Sequence, residues 1–455
     1  MKLAYADVAQ RHAQYLNPAF IKLLGTLGYG RLFTRAEDVA VWDDTGKKYL
    51  DFNAGFGSIT LGHSHPKVVR AMHEALESKS YNFLHLGPSG AAADFAEALA
   101  RRVPRPLEMT LLASSGAEAV EGAMKLAVRV TGRSKFVYMD DAFHGTSLGT
   151  LAVMGRDHFR KPFEKILPQN YRVDFDDLEA LESVLRGRDV AAVLLEPVLC
   201  EGGVRFPAAN YFEEVQKICR RHKTLLVFDE IQTGLGRTGA LFSCSRMKEP
   251  PDVLVLAKAL SGGLMPISAT VTTRALFEKA FGGKDDFDLH SSTFAGNALA
   301  CVAAKATLEV IDDEKLVENS QQMGALLLAR LKEVLKGHLL VRDVRGQGLL
   351  VGVDIGPTDR GLLNQLAPGL VGGAAEMAIG QWMALCLLEK GILIQPSSHR
   401  WNVLKFEPPL TIKAGEIEAA VQATKEVFDN YRSVSALAVA ISKRLGSQFF
   451  SGLGG

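Results

Sequence analysis

Between residues 108 and 259 the chain carries five short apolar runs with no polar alternation: EMTLLASS (108–115), KFVYMDD (135–141), VAAVLLEPV (190–198), TLLVFDE (224–230) and DVLVLAKA (252–259). Strands covered on both faces read this way, and helix-length stretches separate most of them. HPKVVRAMHEALES (65–78) and AAADFAEALARRV (91–103) space their apolar residues at helical intervals. The pattern predicts an α/β fold whose large domain, 61–324, is a mostly parallel sheet with helices on both faces. Residues 1–60 read as an N-terminal segment, with two strand-like runs around the DDTGKK turn of VAVWDDTGKKYLDF (39–52). Over 325–430 the texture changes to a helix (QQMGALLLARLKEVL), strands (GLLVGVDI, GILIQP, VLKFEPP) and a last helix (AGEIEAAVQATKEVFDNY), which predicts a smaller α+β C-terminal domain. The tail, 431–455, has the composition for one more helix.

A chain of 455 residues exceeds one simple core, in keeping with two or more domains. With 52 basic against 51 acidic residues, the net charge of +1 leaves no electrostatic footprint for nucleic acid or an anionic membrane. The start, MKLAYADVAQRHAQ, lacks the apolar core of a signal peptide, and no apolar run approaches the ~18 residues of a membrane span. Five scattered cysteines (Cys200, Cys219, Cys244, Cys301, Cys386) show no CxxC spacing. Reduced thiols in a cytoplasmic enzyme without a metal site are the expectation.

VFDEIQTGLGRTGALF (227–242) contains Gly234-x-Gly236-x-x-Gly239, the spacing of a dinucleotide-binding loop. That loop needs its glycines directly between strand and helix. Here five residues, Asp229 to Thr233, intervene after the strand, and two prolines in ALFSCSRMKEPPD end any following helix early. The ribose-binding acid should close the next strand, yet Asp252 opens it. The glycines therefore read as a surface turn.

The acids ahead of them read differently. Ligands of open α/β sheets sit beyond the carboxyl ends of the strands, where Asp229 and Lys258 both lie. A lone strand-end lysine snorkels to solvent; one beside an acid on a nearby strand end suggests chemistry. Pyridoxal phosphate needs this pair: an amine for imine formation, and an acid that keeps its ring nitrogen protonated. Its phosphate needs a helix start, which ASSGAEAVEGAMKLAVRV offers at Gly116 and Ala117, with the Ser115 hydroxyl beside them. Alone, SGAE is no more than a helix cap.

Taken together, LAKALSGGLMP around Lys258, FDEIQTGLGRTG around Asp229, SSGAEAVEGAMKLA, DAFHGTS and HSSTFAGNALA resemble the class III pyridoxal-phosphate aminotransferases, from about residue 30 to about 430. Within them, FRKPF (159–163), LAKALSGGLMPISAT and STFAGNALAC are most similar to putrescine aminotransferases. The resemblance implies fold type I and a homodimer with a shared active site. It implies that Lys258 holds the cofactor covalently and moves the reacting proton, and that Asp229 pairs with the ring nitrogen. Gln232 would reach the ring hydroxyl, Phe143 would stack on the ring with His144 beside it, and Ser115, Gly116 and Ala117 would hold the phosphate. Thr293 would reach the phosphate of the neighbouring subunit. Read singly, Phe143 is a core residue, Thr293 a turn hydroxyl and Gln232 a polar loop residue.

Three positions depart from the family pattern and bear on substrate. Members acting on ornithine, acetylornithine or 4-aminobutyrate resemble HGRT, whose arginine grips a carboxylate; here HGTS puts Thr146 there, without the charged bidentate contact. The family's RFxPPL reads KFEPPL, so Lys405 keeps the charge for a 2-oxo acid carboxylate but loses the planar fork. EPxQGEGG reads EPVLCEGG, which leaves Glu201 where the family has a residue that pairs with that arginine. Glu201 and Lys405 are then either a pair or two solvated surface charges. The missing guanidinium groups point to an amine donor without a carboxylate near its reacting amine: a diamine or other terminal amine, with an aldehyde product and a 2-oxo acid acceptor. The alternatives are an acetylornithine, ornithine or 4-aminobutyrate type of aminotransferase, or an aminomutase, epimerase or decarboxylase on the same fold.

Overall fold

The computed structural model describes residues 4–79, 81–82, 87–356, 373–431, 437 and 440; apart from Leu437 and Ala440, the expected tail helix lies outside them. Near the N-terminus, β1 (Phe33–Glu37), β2 (Ala40–Asp43) and β3 (Lys48–Asp51) form an antiparallel meander. The central sheet holds β4 (Met109–Ala113), β5 (Lys135–Met139), β6 (Tyr171–Val173), β7 (Val190–Leu195), β8 (Leu225–Asp229), β9 (Val253–Leu256) and β10 (Ser268–Thr272), in the order β4-β10-β9-β8-β7-β5-β6. A third sheet follows: β11 (Val341–Gln347), β12 (Leu350–Ile355), β14 (Gln395–Pro396) and β15 (Val403–Phe406), while the short β13 (Ile392–Leu393) crosses back to pair in parallel with β3.

The five apolar runs are β4, β5, β7, β8 and β9. Their lack of alternation has a direct cause: successive residues feed two different cores. Leu226, Phe228, Leu254 and Leu256 enter the cluster on one face of the sheet, and Val227, Val253 and Val255 enter the cluster on the other. The second cluster is closed by the helix Gly116–Thr131 through Val120, Ala123, Met124 and Ala127.

β10 lies between β4 and β9 and is antiparallel to both. Its sequence, SATVT, gave no strand signal because its polar residues are buried and satisfied. Ser268 and Thr270 donate to the carbonyls of Ser115 and Ala119, both at 2.7 Å, and Thr272 donates to that of Asp252 at 2.8 Å. Two antiparallel steps leave β4 running the same way as β9, and β5, β7, β8 and β9 are mutually parallel. The carboxyl ends of all five strands therefore share one edge, the place where such sheets bind ligands.

The Gly234–Gly239 turn is not the surface feature its composition suggests, since residues 232–238 are buried. The turn is clamped under the C-terminal sheet. Arg237, 1 % exposed, donates to the carbonyls of Leu349 (2.9 Å) and Pro408, and its own carbonyl accepts from Leu349 N at 3.0 Å. Gly348, at φ +56°, presses so closely that an added Cβ would lie 2.4 Å from Gly239 N. Satisfied backbone groups and missing side chains allow this polar-looking stretch to be buried. Between β8 and β9 the only helical turn is the short Ser243–Arg246, so no crossover helix exists to complete a dinucleotide loop.

Candidate active site

Each strand end delivers a separate piece. After β4, Ser115 caps the helix Gly116–Thr131: its Oγ accepts from Glu118 N at 3.2 Å, and Glu118 Oε2 accepts from Ser114 N (2.8 Å) and Ser115 N (2.9 Å). The Ser115 hydroxyl is thus engaged as an acceptor and keeps its proton to donate. Gly116 and Ala117 supply the first N–H groups of the helix, which have no partner within it. A Cβ on Gly116 would lie 2.9 Å from Ile231 Cδ1, so this helix start is packed against the turn that carries Asp229.

Asp229 closes β8 and is 4 % exposed. Its Oδ1 accepts from Ile231 N at 3.0 Å, and its Oδ2 meets His144 Nδ1 at 2.8 Å. His144 comes from the turn after β5 and is buried. Burial favours the neutral imidazole, but the bond to Asp229 and its charge prevail and raise the His144 pKa. His144 lies behind Asp229 and orients it, with Nε2 unpartnered among the described residues. Phe143, beside it, is half-buried. Its ring centroid is 5.7 Å from that of His399 and 6.1 Å from that of Phe159, and its N–H donates to Glu196 Oε1 at 2.8 Å.

Glu196, just past β7, is an acid the sequence did not single out. Burial pushes its pKa up to about 8, with His144 opposing and Asp229 adding to the rise. A carboxyl raised in the folded state destabilises the fold progressively as pH climbs from the ordinary carboxylate range toward that value. Glu196→Gln keeps an acceptor for Phe143 N and removes the charge. In the cofactor-free protein its gain in melting temperature over the parent should be larger near pH 9 than near pH 5.5. A loss at the higher pH would mean that the ionised carboxylate is the favoured form.

Lys258 follows β9 with its backbone in the left-handed region, φ +40°, a conformation that costs a non-glycine residue about 1–3 kcal/mol. That bend directs its amine to Gln232, with Nζ donating to Oε1 at 2.6 Å. Gln232 Nε2 in turn donates to Glu407 at 2.9 and 3.0 Å, and lies 3.5 Å from Glu201 Oε1.

Glu201 and Lys405 are a buried pair and not solvated charges, 6 % and 2 % exposed. They are in direct contact, Ser398 N donates to Glu201 Oε2 at 2.8 Å, and Glu407 Oε2 lies 3.2 Å from Lys405 Nζ. Burial opposes both charges, yet Lys405, helped by Lys258, holds Glu201 well below the usual carboxylate range, and the two carboxylates raise Lys405. Lys405 Nζ also sits 5.6 Å from the Phe56 ring centroid. Glu407 had no place in the sequence reading. Its signal was there: positions 405 and 407 share one side of an extended chain, so a buried Lys405 brings Glu407 with it.

Two expected residues lie outside this cluster. Thr146 is exposed and makes no hydrogen bond to any group in it. Thr293 is exposed on the loop before the helix Ala298–Asp313. That loop is rooted on the helix Gly116–Thr131, where Lys125 Nζ donates to Leu289 O at 3.1 Å and the His290 ring lies 3.1 Å from where a Gly122 Cβ would stand.

The residues fit pyridoxal phosphate. An amine, a buried and oriented acid and a capped helix start with free donors come from three neighbouring places on one sheet edge. Among the described residues no cluster of His, Cys, Asp and Glu is arranged to hold a metal ion, the cysteines are free, and no helix is long and apolar enough to cross a membrane.

A family model described as aminotransferase class-III matches residues 28–428. The aminotransferase PigE of Serratia sp. is 34% identical over 458 aligned residues, covering 94% of this chain and 54% of PigE; the chain thus spans about half the length of that relative. Among solved structures, the ornithine aminotransferase of Toxoplasma gondii superposes with a TM-score of 0.82 at 28% identity, over 97% of this chain and 96% of that one. The adenosylmethionine-8-amino-7-oxononanoate aminotransferase of Methanocaldococcus jannaschii superposes with a TM-score of 0.83 at 27% identity, over 94% and 99%.

Proposed function

The chain belongs to the class III aminotransferase family, and on that premise we propose that it is a pyridoxal-phosphate-dependent transaminase whose amino donor is a terminal amine such as putrescine or another diamine, with a 2-oxo acid as acceptor. One observation carries the donor side: the position of the carboxylate-gripping arginine is held by Thr146, an exposed hydroxyl, and the acceptor-side cation, Lys405, is buried against two carboxylates.

When bound, pyridoxal phosphate draws electrons from the carbon that bears the amino group. Lys258 would provide the covalent anchor, and its amine would be the base that moves the proton at the carbon bearing the amino group. Asp229, oriented by His144, would keep the proton on the ring nitrogen. Ser115, Gly116 and Ala117 would hold the phosphate, the Gln232 amide, whose Oε1 faces Lys258, would meet the ring hydroxyl, and Phe143 would lie against the ring. Thr293 would reach the phosphate of a second copy, which makes the working unit a homodimer. The free thiols suit a cytoplasmic setting.

The structural likeness to an ornithine aminotransferase favours a second reading, in which the donor carries an α-carboxylate at its far end. A donor panel separates the two. Putrescine and cadaverine should exceed ornithine and N-acetylornithine by about 10–150-fold in kcat/KM, the worth of one charge-assisted contact. Thr146→Arg should move the preference back toward acidic donors, and Lys405→Ala should raise KM for the 2-oxo acid more than for the amine. Wild-type turnover of N-acetylornithine as efficient as that of every diamine would overturn the diamine reading. The carboxylate would then have to be held by Arg156, which donates to Ser398 O, or by Arg205, which pairs with Asp141 at 3.4 Å.

A further inference from the structure

We propose that Glu407 is a specificity-determining residue of this site: it clamps Lys405 as a second, permanent carboxylate partner and fixes the amide of Gln232 against Lys258. The proposal rests on the reading of Lys405 as the cation that receives the acceptor's carboxylate.

Glu407 is fully buried and cannot swing away. Its N–H donates to Phe52 O at 2.8 Å, Pro408 follows it, and an added Cβ on Gly57 (φ +80°) would lie 2.5 Å from its Oε1. Two carboxylates, Glu201 and Glu407, therefore share the Lys405 ammonium. A carboxylate arriving at Lys405 has to displace Glu201. If Glu201 were the sole partner, its departure would expose a free cation. With Glu407 in place it leaves a neutral pair, so the acceptor is bound less tightly.

Glu407 also settles the orientation of Gln232. Both of its oxygens accept from Gln232 Nε2, which turns Oε1 toward Lys258 Nζ. The flipped amide would set its carbonyl oxygen against two carboxylates and its NH2 against an ammonium, so donors and acceptors match in one orientation only. Charge at the acceptor site and placement of the reactive amine are thus tied through a single side chain.

The test uses the full chain with cofactor bound, with kcat and KM measured for 2-oxoglutarate and for putrescine, together with the inhibition constant of glutarate, a non-reacting dicarboxylate. In Glu407→Gln the KM for 2-oxoglutarate and the inhibition constant of glutarate should fall by about 5–10-fold, the KM for putrescine should stay within about 2-fold, and kcat should drop by about 10-fold. Glu407→Asp keeps the charge and loses reach; its acceptor KM should stay within about 2-fold of wild type while kcat falls. A residue that merely supports the fold would raise both KM values or lower the melting temperature without this split. An unchanged or raised acceptor KM and glutarate constant in Glu407→Gln overturns the proposal. If that variant fails to fold, a lowered acceptor KM in Glu407→Asp does so instead. Lys405→Ala distinguishes the two levels. If it leaves the acceptor KM unchanged, the reading of Lys405 fails; if it raises that KM while Glu407→Gln does not lower it, the inference about Glu407 fails alone.

Discussion

Asp229→Asn protein is expected to retain bound cofactor and to lose about 10³-fold in kcat, the magnitude seen when one electrostatic partner of a developing charge is removed. Asn fills the same volume between Ile231 N and His144, so the packing of the turn survives. What it cannot do is hold a positive charge on the ring nitrogen. His144 bears on the same contact: burial pulls its pKa down, and the hydrogen bond and charge of Asp229 raise it nonetheless. Loss of the carboxylate should therefore lower the His144 pKa, which an imidazole NMR titration would read. Lys258→Ala should be inactive, and borohydride applied to the wild-type holoenzyme should fix the cofactor mass to the peptide containing Lys258. A near-normal rate in Asp229→Asn would mean that another group protonates the ring, and label on a different lysine would move the anchor.

The parts of this molecule that were legible in the sequence are those whose signal is local. The runs that became β4, β5, β7, β8 and β9 are apolar without alternation because these strands feed two cores, and Asp229 and Lys258 stood out as charges ending such runs. Where burial depends on distant partners the sequence misled. SATVT looked unlike a strand because its hydroxyls find backbone carbonyls on the neighbouring helix and on Asp252. The glycines of 234–239 looked like a surface turn because nothing local reveals that residues 348–349 and 408 close over them. Glu196 and Glu407 were missed for the same reason: an acid in a sequence reads as solvated until its partners are known. His144 was placed beside the ring by resemblance; in the structure it is buried and bonded to Asp229.

Mixing Lys258→Ala chains with Thr293→Ala chains should restore activity that neither preparation has alone. The first preparation lacks the covalent anchor in every site. The second loses one hydroxyl contact to a phosphate, a charge-assisted bond worth about 1.5–3 kcal/mol, or about 10–150-fold. The reasoning turns on which chain supplies Thr293. It is exposed within its own chain, on a loop rooted along the flank of the helix Gly116–Thr131, whose start is the proposed phosphate site. If that threonine serves the second copy, a mixed dimer has one site with both lesions and one site with neither. Random exchange of equal amounts makes half of the dimers mixed, so about one quarter of all sites are intact, and activity should rise to about that fraction of wild type. If each site is instead built from one chain, every site carries one lesion whatever the mixture, and exchange changes nothing. Native mass spectrometry on chains of distinguishable mass verifies that exchange took place. Verified exchange with no recovery would assign Thr293 to its own chain's site and remove the reason for treating the dimer as the catalytic unit.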